Sequence, residues 1–181
     1  MNVWFASIFK TRLWETPTMV MNIFEFAMQM ENEAEDFYRR LVNNTDNAGL
    51  KTIFNMLAAE EAKHYKIVEE MKAKIPQKIS DTDVLSKAGV IFEQMSNTDK
   101  KTDFDISQIE VYKKAQDIEK KSTDFYLQKA DEVEEHCQKG IFRKLAEEEK
   151  KHYFLLQNII EFVSRPESWL ENAEWYHLEE Y

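Results

Sequence analysis

The chain contains the stretch LAAEEAKHY at residues 57–65, and 88 residues later it contains LAEEEKKHY at residues 145–153. Each copy holds a Glu-x-x-His pair, Glu61 with His64 and Glu149 with His152. In a helix, residues three apart lie one turn apart on the same face, where a carboxylate and an imidazole can bind one metal ion. The sequence therefore predicts two helices that each present a pair of metal ligands.

The repeat extends well beyond these two stretches. When residues 22–72 are aligned on residues 110–160 without a gap, 15 of 51 positions are identical. The identities pair Glu31 with Glu119 and Tyr38 with Tyr126. We interpret the chain as a duplicated helical hairpin, in which each copy contributes one Glu from its first helix and a Glu-x-x-His from its second helix.

The composition favours an all-α fold. Only 3 Gly and 3 Pro interrupt 181 residues, of which 32% are charged, and long helices have this composition. The length fits a single domain over residues 1–181. The net charge of −10 argues against nucleic acid as a partner, because nucleic-acid binding depends on Lys and Arg at the phosphates.

The location of the protein is predicted from its cysteine content and its apolar runs. The single cysteine, Cys137, excludes an internal disulfide and a four-cysteine metal site, and we expect a reducing cytoplasm. The apolar opening is followed, not preceded, by its charges, so we do not expect a signal peptide. No run approaches the roughly 18 apolar residues of a membrane span, so we expect no membrane partner.

Hydrophobic periodicity divides the chain into five segments. The repeated hairpins cover residues 20–74 and 105–163, and each contains two helices whose apolar residues recur at spacings of three and four. Residues 75–104 lie outside the repeat, and residues 80–83 (SDTD) form a plausible helix cap there. The cap is followed by a helical stripe of Val84, Leu85, Ala88, Ile91, Phe92 and Met95. A crossover along a helix of about 25 residues, roughly 38 Å long, needs a connection of this length. The aromatic extensions at residues 1–18 and 164–181 are expected to pack on the bundle or on a second subunit, in a homodimer or larger homo-oligomer.

Six residues with metal-binding side chains interrupt the apolar stripes of the four repeated helices. They are Glu31, Glu61, His64, Glu119, Glu149 and His152. An ordinary explanation, with the glutamates in water and the histidines in the core, fits any one of them. The mirrored set favours a metal site, because buried charges cost several kcal/mol each unless they are paired or bind metal. Four carboxylates balance two divalent ions, and oxygen ligands with imidazoles suit iron or manganese.

This pattern, a Glu followed about thirty residues later by Glu-x-x-His and given twice, resembles the rubrerythrin branch of the ferritin-like di-iron carboxylate proteins. The resemblance spans about residues 20–163. It implies a ferritin-like four-helix bundle with one long helical crossover between helices 2 and 3, and two iron ions, with manganese possible, held by the six residues. It also implies that Tyr38 and Tyr126 hydrogen-bond ligand carboxylates, although ordinary aromatic core residues would give the same pattern.

The sequence leaves some roles within this pattern open. It does not separate bridging ligands from terminal ones, although the resemblance favours Glu61 and Glu149 or their partners as bridges. Glu60 and Glu148 are nearly in phase with the ligands, and we interpret them as surface residues or as residues that support a ligand.

Two departures from the family pattern bear on function. Rubrerythrins carry a rubredoxin domain with four cysteines, whereas this chain has only Cys137. The family also often has an extra Glu three residues after the third-helix ligand, where this chain has Ser122 and, at the mirrored position, Ala34. The remaining six-ligand set is closer to the ferroxidase centres of bacterioferritin-like proteins, which weighs against peroxidase activity.

Three functions follow as expectations. The leading one is a di-iron oxidoreductase that reduces hydrogen peroxide or dioxygen in oxidative-stress protection, with an external electron donor such as a separate rubredoxin. The alternative is a ferroxidase or an iron-binding or iron-storage protein. A helical scaffold without metal would follow only if the glutamates were exposed.

Overall fold

A computed structural model describes residues 22–75, 82–98 and 108–164. These residues form five α-helices and no strand, which confirms the all-α prediction. The helices are α1 (Ile23–Asn44), α2 (Ala48–Lys72), α3 (Val84–Thr98), α4 (Ile109–Glu132) and α5 (His136–Ser164). In this part of the chain, no helix is both long and apolar enough to cross a membrane. The predicted helix within residues 1–18 and the aromatic tail after Ser164 lie outside the described residues.

Two helical hairpins make up most of the structure. α1 packs along α2, α4 packs along α5, and each pair is joined by only three residues. Asparagine caps fix where the first pair begins: the side-chain oxygen of Asn22 accepts the backbone N–H of Phe24 at 2.9 Å, and that of Asn47 accepts the N–H of Leu50 at 2.9 Å. Because these short links leave no room for another element, consecutive helices must run antiparallel.

α3 lies in the connection between the hairpins and packs against α2 and α5. Of its predicted apolar stripe, Ile91 is partly buried. The remaining members are buried: Val84, Leu85, Ala88, Phe92 and Met95. Gly49 permits the close approach to α2, because a Cβ at that position would overlap the side chain of Met95. Residues 76–81 and 99–107, which would complete a crossover, lie outside the described residues.

A polar layer crosses the bundle between two apolar clusters. The larger cluster includes Phe54, Leu57 and Leu156, and the smaller one includes Val68 and Phe142. Along each of the four long helices, the candidate metal ligands fall between residues of the first cluster and residues of the second. The layer is therefore closed at both ends by apolar side chains, which exclude water from it.

Candidate metal centre

The six candidate ligands converge in this polar layer. α1 supplies Glu31 and α4 supplies Glu119, while α2 and α5 each supply a Glu-x-x-His pair. Every one of the six side chains is buried, with at most 1% of its residue surface exposed. The explanation in which the glutamates face water is therefore wrong for this structure. Four carboxylates and two imidazoles share one dry compartment.

The first half of the cluster is centred on His64. Its Nδ1 atom lies 2.8 Å from Glu149 Oε1, 3.6 Å from Glu61 Oε2 and 3.8 Å from Glu31 Oε2. The imidazole of α2 thus faces one carboxylate from its own helix, one from α1 and one from α5.

The second half mirrors the first and is centred on His152. Its Nδ1 atom lies 3.0 Å from Glu61 Oε1, 3.6 Å from Glu119 Oε2 and 3.7 Å from Glu149 Oε2. The two imidazole rings stack with their centroids 5.5 Å apart. Glu61 and Glu149 therefore face both histidines. In these ion-pair contacts, Glu31 faces only His64 and Glu119 faces only His152.

Most of the polar atoms at the centre of this cluster lie within ion-pair distance of one another but form no hydrogen bond of good geometry with the described residues. Among the described residues, the unpaired buried atoms include both carboxylate oxygens of Glu61 and of Glu149, Oε2 of Glu119, and the Nδ1 atoms of both histidines. Unpaired buried polar groups are costly, at about 1–3 kcal/mol each. Ligand atoms of Glu61, His64, Glu149 and His152 all lie within 4.8 Å of one another. Cations between them would satisfy the orphaned atoms and balance the carboxylate charge, so the donor set fits metal ions.

Two buried tyrosines donate hydrogen bonds to Glu31 and Glu119, the glutamates that come from the first helix of each hairpin. Tyr38 of α1 donates its hydroxyl proton to Glu119 Oε1 of α4, and Tyr126 of α4 donates to Glu31 Oε1 of α1. The second oxygen of each carboxylate remains directed at a histidine. Each tyrosine thus orients a carboxylate of the opposite hairpin, a crossing between hairpins that the sequence did not reveal.

Burial raises the pKa of both first-helix glutamates well above the usual range. Removal from water is the main cause for Glu31 and for Glu119, and the negative charge of Glu149 adds to it in both. Burial also raises the pKa of Tyr126, and the charge of Glu31 adds to that rise, so the phenol stays a proton donor.

The pKa values of the two histidines and those of the Glu-x-x-His carboxylates shift in opposite directions. Burial is the largest single influence on the pKa of His64 and of His152, and it lowers both. The negative charge of Glu149 and of Glu61, respectively, together with hydrogen bonds to the surrounding carboxylates, outweighs burial, and both pKa values rise well above the ordinary value. Burial also raises the pKa of Glu149 and Glu61, but their histidine contacts outweigh it, and both carboxyl pKa values fall. Protons thus supply the positive charge that metal ions would otherwise bring.

The structure also gives a definite place to Glu148. This side chain is buried, its Oε2 lies 3.0 Å from His64 Nε2, and its Oε1 accepts the backbone N–H of Thr82 at 3.2 Å. Glu60 occupies the mirrored position but pairs with the exposed Lys63 at 2.5 Å. The sequence signal for Glu148 was only its place beside Glu149 in the repeated stretch, and Glu60 has the same signal.

Comparison with known proteins places this cluster in a family. No curated protein and no solved structure matches the chain. The family model for Rubrerythrin matches residues 22–160, a range that covers well over half of the chain and contains all six residues of the cluster. The chain therefore belongs to the rubrerythrin family.

Proposed function

We propose that the protein is a di-iron redox protein that reduces hydrogen peroxide or dioxygen at a carboxylate-bridged site. The observation that carries this proposal is the buried cluster whose inner polar atoms form no hydrogen bond of good geometry within the described part of the chain. Its proposed ligands are Glu31, Glu61, His64, Glu119, Glu149 and His152. The family match and the hairpin repeat further support a ferritin-like bundle in which the connection through α3 crosses between the hairpins.

Two ions fit the symmetry and the charge of the cluster better than one. The Nδ1 atom of each histidine faces three carboxylates, and Glu61 and Glu149 face both histidines. These two residues are the proposed bridging ligands, whereas Glu31 and Glu119 are the proposed terminal ones. Four carboxylates would balance two divalent cations, and iron is preferred over manganese on the family resemblance.

The chain itself would position and shield the metal centre. Bound iron would supply the electrons for reduction as it passes between its ferrous and ferric states. The hydroxyl groups of Tyr38 and Tyr126 would hold the outer oxygen of each terminal carboxylate, so that the inner oxygen stays directed at its histidine. The apolar clusters on both sides would keep bulk water out. An external donor, such as a separate rubredoxin, would return the electrons.

A ferroxidase or iron-storage role is the second candidate, and the family's extra carboxylate position favours it. Ser122 of α4 and Ala34 of α1 stand where the family often has another Glu, and both are buried. Neither position offers a seventh carboxylate to the cluster. The remaining six-ligand set is the kind that bacterioferritin-like ferroxidase centres use.

Rapid mixing separates these two functions. The protein is loaded anaerobically with ferrous iron and mixed with peroxide or with dioxygen while absorbance reports iron oxidation. Faster oxidation by peroxide, with repeated turnover when a reductant is supplied, would support a peroxidase in oxidative-stress protection. One round of oxidation by dioxygen, followed by iron retention in a many-subunit assembly, would support storage instead. The Glu61→Ala variant is the control for iron bound elsewhere, because it removes a proposed ligand of both ions.

A further inference from the structure

Glu148 joins three elements at one edge of the metal centre. It belongs to α5, it contacts the His64 ring of α2, and it accepts the backbone N–H of Thr82, which immediately precedes α3. Each oxygen of its carboxylate therefore has its own partner. Because both oxygens have partners and the residue is only 3% exposed, the Glu148 carboxylate is held in one orientation.

This contact determines how the His64 ring presents itself to the cluster. In a neutral imidazole one ring nitrogen carries the proton and the other accepts, and the Glu148 oxygen at 3.0 Å favours the tautomer with the proton on Nε2. The Nδ1 atom is then the one left for a metal, and it is the atom that faces Glu149, Glu61 and Glu31. A hydrogen bond to the outer nitrogen of a ligand histidine fixes its tautomer and its ring orientation.

The mirrored half lacks this support. Glu60 takes the place of Glu148 in the repeat, but its carboxylate bonds Lys63, whose side chain is 64% exposed. His152 Nε2 is buried and has no hydrogen-bond partner among the residues that the structure describes. The sequence would allow the same contacts in both halves, because Lys63 and Lys151 also occupy mirrored positions. The difference between the halves therefore arises from packing.

The connection between the hairpins, which contains α3, accounts for the difference. α3 has no counterpart in the hairpin repeat, and it packs against α2 and α5. The residues before it bring the Thr82 N–H to Glu148, and this donor holds the carboxylate in place beside His64. Within the described residues, no equivalent donor reaches Glu60.

We propose that Glu148 is a positioning residue for His64 and that it makes the two halves of the centre unequal, with the His64 half binding its metal ion more tightly. This inference rests on the proposed metal centre. It predicts stepwise filling, in which the half with the braced histidine fills first. It also makes the His152 half the one that loses its ion first.

Titration of the full chain with Co²⁺, followed by visible absorbance and calorimetry, tests the proposal. The wild type should bind two ions in two resolved steps. Glu148→Leu should weaken the tighter step by about 10- to 100-fold, the usual effect of losing a support to a ligand histidine, and change the weaker step far less. Glu148→Gln keeps an oxygen that can accept from His64 and should lose less, which guards against misfolding of the Leu variant. Glu60→Leu is the matched control at the mirrored position and should leave the tighter step unchanged.

Nitrogen-15 NMR of labelled histidines in the Zn²⁺-loaded protein gives a readout independent of affinity and activity. In the wild type, the Nε2–H of His64 should show the shift of a hydrogen bond to a carboxylate, and that of His152 should not. Glu148→Leu should abolish this difference, whereas Glu60→Leu should preserve it. These spectra follow the ring and not the overall fold, so a purely structural role for Glu148 would not produce the pattern.

The outcomes separate this inference from the proposed function. Two tightly bound ions with equal affinities, equal weakening of both steps in Glu148→Leu, or an equal effect of Glu60→Leu would each overturn the inequality while leaving the metal centre intact. Failure of the wild type to bind Co²⁺ at all would overturn the proposed function together with this inference.

Discussion

Replacement of Glu31 by Gln should affect the metal-loaded protein and spare the metal-free one. Burial, followed by the charge of Glu149, raises the pKa of Glu31 well above its usual range, so the side chain holds a proton more readily than a free glutamate does. Gln has the shape of a protonated Glu and keeps an oxygen that can accept the Tyr126 hydroxyl. The variant thus imitates the metal-free state but lacks the charge that a cation requires.

The size of the effect follows from binding linkage. A metal present at 100 times its Kd stabilises a folded protein by about 2.7 kcal/mol. At the same metal concentration, a loss of about 10- to 100-fold in affinity would remove roughly 1.3 to 2.3 kcal/mol of this stabilisation. At about 2–4 °C per kcal/mol for a domain of this size, the Tm of Glu31→Gln should fall about 3–9 °C below wild type, and only with metal present.

The pH dependence of the metal-free protein has a definite sign. The pKa of Glu31 is higher in the folded state than in the unfolded state, so its contribution to stability is present at low pH and is lost as pH rises through the folded pKa. Gln does not titrate and has no such loss. The stability of metal-free Glu31→Gln relative to wild type should therefore increase with pH.

Thermal unfolding followed by circular dichroism, with excess EDTA or with excess Mn²⁺, measures both effects without iron oxidation. Glu33→Gln is the matched control on α1, because Glu33 lies outside the cluster and bonds Gln29 at the surface. It should behave as wild type in both conditions. An equal Tm loss for Glu31→Gln with and without metal, or an unchanged Mn²⁺-induced rise in its Tm, would refute the assignment of Glu31 as a ligand.

Three further predictions address the remaining parts of the site. Glu61→Ala should lower the metal content measured by elemental analysis from two ions toward none, because Glu61 faces both histidines; retention of one ion would contradict a shared role. Tyr126→Phe and Tyr38→Phe should each cost the metal-loaded protein about 1.5–3 kcal/mol in chemical denaturation, the value of a hydrogen bond to a charged group, and clearly unequal losses would argue against mirrored roles. Metal loading should release protons, measured by calorimetry, because burial and the charge of Glu149 raise the pKa of Glu119 and the neighbouring carboxylates raise the pKa values of the histidines. The affinity for metal should therefore fall as pH is lowered, and an affinity independent of pH would contradict this.

Much of the fold was accessible from the sequence because its repeat and its periodicity are local signals. Helical spacing of apolar residues predicted the four long helices and the stripe on α3. The start of α3 near Val84 was also predicted. The path of the chain on either side of α3 carries no periodic signal and was inferred only from its length.

The sequence by itself determined which residues could meet, and the tertiary structure decided how they meet. A repeat of 88 residues places six ligand-type side chains in phase with apolar stripes, and burial then forces them into one layer. Partners across helices depend instead on how the hairpins pack, which no local pattern encodes. Packing directs Tyr38 to Glu119, and it directs Glu148 to His64 while leaving Glu60 with Lys63. The duplicated sequence predicts a symmetric site. The unduplicated connection makes that site asymmetric, because its Thr82 N–H binds Glu148, whereas within the described residues no equivalent donor reaches Glu60.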